Sequence, residues 1–404
     1  MDKLSGKQIT FIGLNYAPED TAIGLYSSHM VEALVNAGAH VNVVTAFPYY
    51  PQWKISAEYV KKSKYIIENQ VSTVVYRYKQ YVPLHPTFLK RIIHILSFTK
   101  GAFFNLRKIK NADLVISVIP FTTSAWLAGL HAKKHNVNSW VHIQDFEFDA
   151  ATQSGLSKGK GWIFNVLFGI EKHVLNNATV VSTISHKMML KLGEKTTSKK
   201  FYLPNWIDAN MVDPSNSTRH KYLTSNKFKL LYSGNVGEKQ DWDFFLAFAK
   251  ALPHELYDIT IVGAGSKFAT LKKFTNLPHV NFYESVPFCE LSSLLCSVDA
   301  HFLFQKIDVL DTVMPSKLLG MMASEKPSLV LGHEDSEVRQ VMNDARAGTY
   351  LLTPNVAQAI DQVEKWRAKP DQYENMGKYA RSYVLNTFAQ EPILNNWIEA
   401  LTNL

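Results

Sequence analysis

Two short stretches of this chain place lysines where a polypeptide is best equipped to hold an anion. In DTVMPSKLLGMMASEKPSLV (residues 311–330) a polar loop runs into a helix and then into an apolar strand. Thr312, Pro315, Ser316 and Lys317 stand at the helix entrance, where unpaired backbone N–H groups and the positive end of the helix dipole attract negative charge. In KLLYSGNVGEKQDWDFFLAFAKAL (residues 229–252) a short apolar strand ends in a turn, and an amphipathic helix follows. Gly234 and Gly237 let the backbone approach a ligand closely, Asn235 and Glu238 belong to the same turn, and Lys239 stands at the helix mouth. Either feature alone is ordinary α/β punctuation or solvated surface. Two anion-ready helix starts, each with a lysine and both in one half of the chain, point to a diphosphate held between them.

The elements that must position these residues follow from hydrophobic patterning. Both halves alternate short apolar runs with helical stretches, the pattern of parallel sheets covered on both faces. Strands are expected over 8–14, 40–46, 72–78, 114–119, 139–144 and 180–185, then over 229–234, 258–263, 280–284, 300–305 and 327–332. Pro204 and Asn205 in LPNWID (203–208) break the pattern and mark a hinge. The expected division is 1–205, 206–385 and a terminal segment, 386–404, whose amphipathic EPILNNWIEAL packs back on the first domain. Open parallel sheets bind ligands at the carboxyl ends of their strands. Gly263 ends one such strand, and Ser285, Val286 and Pro287 follow another.

Composition bounds the function. At 404 residues, 46% hydrophobic and 19% charged, the chain has room for two domains with substantial cores. Two cysteines, Cys289 and Cys296, exclude a disulfide framework and fit a reducing cytoplasm. No zinc-type cluster exists, the N-terminal apolar run is too short for a signal peptide, and nothing approaches the ~20 apolar residues of a membrane span. The net charge of +8 implies an anionic partner: nucleic acid, anionic lipid or a phosphate-bearing small molecule. Without an aromatic–basic RNA signature, zinc finger or helix-turn-helix, nucleic acid ranks last. Residues 84–110 mix Phe, Ile and Leu with Lys90, Arg91, Lys100, Arg107, Lys108 and Lys110. They form either an interfacial helix on an anionic membrane or a domain helix with a solvated basic face.

The order of motifs resembles a GT-B glycosyltransferase of the retaining family 4 along nearly the whole chain. The family pattern is matched by NYAPEDTAIGLYSSHMVEAL (15–34), HIQDFE (142–147), EKHVLNNATVVSTIS (171–185), LPNWID (203–208), YSGNVGEKQ (232–240), IVGAGS (261–266), residues 280–306 and the MPSK segment. With TAFPYYPQW (45–53), the PSK variant is similar to the colanic-acid-type branch that transfers fucose or related deoxysugars. Two departures stand out. Members usually carry an arginine after the turn glycine, where this chain has Asn235. They also carry two glutamates near the MPSK segment, where it has Thr312 and Gly320. Asp308 or Asp311 stands in for the first glutamate, and Lys317 offsets the missing arginine charge.

The resemblance implies an α/β protein with two Rossmann-like domains facing each other across a cleft, the first binding acceptor and the second a UDP- or GDP-linked sugar. It implies retaining transfer of a sugar, fucose or a related deoxy or amino sugar, onto a polyprenyl-diphosphate-linked glycan for a bacterial surface polysaccharide. The work would be done in the cytoplasm at the inner face of the plasma membrane. Lys239 and Lys317 would stabilise the leaving diphosphate, so no metal or other cofactor is expected. Gly24 would face the diphosphate from the first domain. His142 and Asp145 would contact the donor sugar or orient the acceptor hydroxyl, with Glu147 and Asp149 nearby and Glu171 structural. Glu19, Asp20, Tyr49, Tyr50 and Trp53 are acceptor candidates, the aromatics equally candidates for the core. Two alternatives are a catalytically silent sugar-nucleotide-binding assembly subunit and a GT-B nucleotide-sugar epimerase.

Overall fold

A computed structural model describes residues 3–19, 22–84, 87–149, 161–208, 210–308 and 316–404. It divides into two compact units, Met1–Pro204 with Pro392–Leu404, and Asn205–Glu391.

The first unit is built on eight strands: β1 (Gln8–Ile12), β2 (His40–Ala46), β3 (Tyr65–Gln70), β4 (Thr73–Tyr78), β5 (Leu114–Ile119), β6 (Asn138–Ile143), β7 (Val180–Thr183) and β8 (Lys199–Tyr202). Their order is β3-β4-β2-β1-β5-β6-β7-β8. Only the β3–β4 hairpin pairs antiparallel; the neighbours of β1, β2, β5, β6 and β7 are parallel. Every residue of β5, LVISVI, is buried, as a strand covered by helices on both faces must be. The last helix, Gln390–Thr402, buries Leu394, Trp397, Ile398 and Leu401. Trp397 meets Trp140 of β6 edge-on at 6.4 Å, and Asn138 Nδ2 donates to the Leu404 carbonyl at 2.9 Å.

The second unit holds β9 (Phe228–Ser233), β10 (Tyr257–Val262), β11 (Val280–Tyr283), β12 (Ala300–Phe304), β13 (Ser328–Leu331) and β14 (Gly348–Leu351), all parallel, in the order β11-β10-β9-β12-β13-β14. A cluster of phenylalanines joins helix Trp242–Ala251 to β12. Phe245 stacks on Phe302 at 5.4 Å, and Phe244 and Phe248 approach Phe304 edge-on.

Every strand expected from the apolar runs is present, with ends moved by one or two residues. Three strands were not anticipated: β3 (YIIENQ), β8 (KKFY) and β14 (GTYL). All three are edge strands. An edge needs no continuous apolar run, and its lysines and polar residues discourage pairing with other chains.

Candidate active site

In the second unit the carboxyl ends of β9 and β10 are zipped together through their loops. Gly234 N–H donates to the Val262 carbonyl at 2.9 Å, Val236 N–H to Ala264 at 2.9 Å, and Lys267 N–H to Val236 at 3.0 Å. The approach is so close that a Cβ on Gly263 would lie 1.9 Å from the Gly234 carbonyl oxygen, and one on Gly265 2.3 Å from that of Val236. On the other side, Lys306 N–H donates to the Lys239 carbonyl at 3.0 Å, and Gln240 bridges Gln305, the residue after β12. The glycine turn is thus pinned between its neighbouring strands, and its shape is set before any ligand arrives.

Lys317, on helix Ser316–Ala323, comes to this turn. Its Nζ donates to Tyr232 Oη at 2.8 Å, and Tyr232 Oη donates in turn to the Asn235 carbonyl at 2.6 Å. The ammonium also lies 4.7 Å from the centre of the Tyr232 ring, within cation–π range. A Cβ on Gly234 would only touch the lysine chain, 3.4 Å from Cε; it is the φ of +135° that calls for glycine there. Burial pushes the Tyr232 phenol well above its ordinary value, which keeps it a neutral hydroxyl beneath the cation. The two lysine-bearing segments singled out by spacing do therefore meet, through Lys317 and the Gly234 turn. Tyr232 and Gly265 were missed. A tyrosine in an apolar run reads as core, and its hydroxyl role is invisible until Lys317 is placed beside it.

Other expectations for this turn need correction. The helix does not open at Lys239: it begins at Trp242, capped by Asp241, whose carboxylate accepts Phe244 N–H at 2.9 Å. An acidic cap already satisfies that helix end, so it offers little to a phosphate. Gly237 N–H is taken by Gln240 Oε1 at 3.1 Å and is not a free donor. Glu238 points to an exposed ion pair with Lys267 at 3.0 Å. Lys239 and Asn235 are exposed in the turn, as is Asp308 in the stretch after β12. Ser285 and Pro287 are exposed and Val286 half-buried in the loop after β11. Asp311, Thr312 and Pro315 lie outside the described residues, and Ser316 is described as backbone only.

In the first unit, the loop after β1 is braced from three sides. Glu19 is buried, with Oε1 accepting Tyr49 N–H at 2.7 Å and Tyr50 N–H at 2.8 Å, and Oε2 accepting Asn15 Nδ2 at 2.8 Å. Buried Arg77 pairs with Glu68 at 2.7 Å and donates to the Ala17 carbonyl. Ala17 N–H donates to Ser28 Oγ at 3.0 Å. A Cβ on Gly24 would lie 2.7 Å from the Glu19 carbonyl oxygen, so glycine is required for this loop to close on the following helix. Burial raises the Glu19 carboxyl above its ordinary value, and the two backbone N–H donors pull the other way.

This geometry overturns several assignments. Glu19 braces the Tyr49–Tyr50 backbone and has no spare oxygen for an acceptor. Tyr49 is buried in the core, with Trp53 packed beside it at 5.5 Å, which leaves Tyr50 as the exposed aromatic of the three. His142 is wholly buried in β6. Its Nδ1 lies 2.9 Å from Ser182 Oγ, which also accepts Trp140 Nε1–H at 2.7 Å, and its Nε2 faces Gln144 Nε2 at 3.0 Å. Desolvation lowers its pKa to about 3, so it is a neutral imidazole with both ring nitrogens engaged inside the unit, the arrangement of a structural histidine. Glu147 accepts Thr122 N–H at 3.0 Å at the head of helix Thr122–His135. Asp149 and Glu171 share Lys195, at 2.8 and 2.5 Å. Asp145, half-buried beyond β6, keeps its place as a candidate. Asp20 lies outside the described residues.

Among the described residues, no group of three or more His, Cys, Asp or Glu side chains is arranged to hold a metal ion.

Comparison with known proteins agrees with this architecture. Residues 21–206 match the model of the glycosyl transferase 4-like domain. The chain is 32% identical over 406 aligned positions to a protein of Escherichia coli (strain K12) named "Putative colanic acid biosynthesis glycosyl transferase WcaI", covering 97% of this chain and 98% of that one. Among solved structures, sucrose-phosphate synthase from Thermosynechococcus elongatus superposes with a TM-score of 0.76 at 14% identity, over 98% of each chain. Anabaena HepE in complex with UDP does so with a TM-score of 0.67 at 11% identity, over 98% of this chain and 100% of that one. At such identities the structural matches establish the fold, two parallel-sheet units of GT-B type, and the sequence match establishes kinship: the chain belongs to the GT4-type glycosyltransferases.

Proposed function

We propose that this glycosyltransferase takes its sugar, fucose or a related deoxy or amino sugar, from a UDP- or GDP-linked donor. It passes that sugar with retention of configuration to a polyprenyl-diphosphate-linked glycan in the assembly of a bacterial surface polysaccharide. The observation that carries the reading is the seating of Lys317 over the Gly234 turn at the carboxyl end of the second sheet. A relative named for colanic acid biosynthesis supports the pathway class, and a neighbour solved with UDP supports the donor class.

The reaction breaks the bond between the anomeric carbon and a phosphate oxygen. Negative charge then grows on the diphosphate while the sugar takes on oxocarbenium character. Lys317, held at fixed distance by Tyr232, presents a pre-aimed cation to that charge, and Lys239 adds a second from the same turn. Fixed charges of this kind stabilise a leaving group without the cost of reorganising solvent. The acceptor hydroxyl adds to the anomeric carbon on the face the phosphate leaves. Its proton passes to the departing phosphate, so the balance needs no metal and no other cofactor.

Thermal shift with UDP-, GDP- and dTDP-sugars tests the reading, because a ligand that binds only the folded state raises its stability by mass action. One nucleotide class should stabilise the wild type by several degrees and the Lys317→Ala variant much less. If no nucleotide sugar stabilises the protein at any soluble concentration, the donor assignment fails. Gly320, where the family pattern has a glutamate, is the residue that favours a second reading, a silent donor-binding subunit. Binding without donor hydrolysis or transfer would select that reading.

A further inference from the structure

Helix Phe88–Leu106 packs on β2 and β4 and touches helix Thr122–His135, which packs on β5 and β6 and touches helix Gly161–Asn176. The three form one layer, and each turns a second apolar stripe away from the sheet. On the first helix, His94, Phe98 and Ala102 face inward while Leu89 (70% exposed), Ile93, Leu96 and Phe103 face outward at helical spacing. On the second, Ala125, Ala128 and Ala132 face the sheet and Trp126 and Leu130 face solvent. On the third, Trp162 (72% exposed), Val166 and Ile170 recur every fourth residue. Isolated exposed apolar residues need no explanation, but stripes on three adjacent helices make a continuous face.

The charges on this face have one sign. The first two helices contain no Asp or Glu but carry exposed Lys90, Lys100, Lys133 and Lys134, while Arg91 turns the other way, over the Trp53 ring. The sole acid of the third is Glu171, which is buried and paired with Lys195, beside exposed Lys172. A second copy of the chain would bring the same cations against these, on a protein already at +8. An apolar face carrying tryptophans and bordered by lysines instead complements an anionic bilayer, with rings at headgroup depth and ammonium groups among the phosphates.

We infer that this three-helix face, and not the 84–110 segment alone, is the surface by which the protein lies on an anionic membrane. The inference deepens the transferase reading and rests on it for why a membrane should be there, but lipid binding is measured without turnover.

The full chain is co-sedimented with vesicles of phosphatidylglycerol and phosphatidylcholine in equal parts, and with vesicles of phosphatidylcholine alone. Binding should be seen on the former and weaken with added salt. The variant Trp126→Ser/Leu130→Glu/Trp162→Ser leaves residues 84–110 intact. It should bind at least roughly tenfold more weakly, since it removes two or more large apolar contacts. Its circular dichroism and its stabilisation by nucleotide sugar should match wild type, which separates this inference from the donor assignment. Lipids brominated in their acyl chains should quench wild-type tryptophan fluorescence more than the variant's. Three outcomes would overturn the inference: no binding of wild type to anionic vesicles, unchanged binding by the variant, or a wild-type dimer that the variant makes monomeric. The last would assign the face to a second copy.

Discussion

Lys317 donates to Tyr232 Oη at 2.8 Å while its charge rests 4.7 Å from the centre of the same ring, so one buried tyrosine fixes both the direction and the height of the cation. The phenol in turn donates a hydrogen bond to the Asn235 carbonyl, which ties the lysine to the glycine turn it overhangs. Removing the charge and removing its seat should therefore differ. Lys317→Ala should cut turnover on the order of 10²-fold or more, the scale of losing a pre-aimed donor, and Lys239→Ala should do the same if it shares that role. Tyr232→Phe keeps the ring and the cation but loses a hydrogen bond, so its loss should be roughly two- to tenfold. Steady-state rates of the purified variants decide this; equal losses for Lys317→Ala and Tyr232→Phe would make the lysine a structural group.

Backbone proximity gives a stability test. Gly263→Ala would put a Cβ 1.9 Å from the Gly234 carbonyl, forcing the β9 and β10 loops apart. The variant should unfold at lower denaturant and lose nucleotide binding together. Gly193→Ala, where a Cβ meets nothing within 4 Å in helix His186–Lys195, should instead gain about 0.5–1 kcal/mol from helix propensity. Chemical denaturation of the two variants measures both signs.

Glu19 should act through the Tyr49–Tyr50 backbone. Glu19→Ala strands two backbone N–H groups and the Asn15 amide, at a cost of roughly 2 kcal/mol or more. Glu19→Gln keeps an acceptor for the two N–H groups while Asn15 turns its oxygen inward, and should be far milder. The sign of its pH effect follows from burial, which raises the folded-state carboxyl. Between the ordinary and the raised value the folded protein keeps a proton that the unfolded chain has lost. The contribution of Glu19 to stability is therefore present at low pH and declines as pH rises through that window. In Glu19→Gln this decline should vanish from a plot of denaturation midpoint against pH.

The buried histidines work in the opposite sense. Desolvation lowers His142 and His301 to about 3 and His131 to about 4. Above their ordinary value of 6.5 folded and unfolded chains carry these groups alike. As pH falls, the unfolded chain takes up the protons first, and the folded state loses ground. Stability should drop steadily from near-neutral pH toward pH 4, with tyrosine and tryptophan fluorescence reporting unfolding. A profile flat over that range would mean that these imidazoles are reached by solvent.

Chelator tests the leaving-group chemistry. With lysines in the role of the cation, excess EDTA should leave turnover within about twofold. A loss restored by magnesium or manganese would move the diphosphate's charge partner from Lys317 to a metal.

Central strands were legible in the sequence because burial on both faces demands unbroken apolar runs, as in LVISVI; edge strands β3, β8 and β14 were not, because an edge makes no such demand. The glycine turn at Gly234 and the lysine at 317 were visible as types in suggestive settings, each satisfied by local rules of helix starts and tight turns. What sequence spacing could not supply was which neighbour each side chain would meet. His142 has the residue type and strand-end position of a catalyst, yet Ser182 and Gln144 take both its ring nitrogens. Glu19 has the charge of a base, yet three donors from two loops occupy it. The apolar residues of three helices separated by up to some eighty positions became one face only when the sheet laid those helices side by side. Local chemistry is written in the order of residues, whereas partner identity, desolvation and the sharing of a surface arise from contacts distant in the chain, which only the packed structure decides.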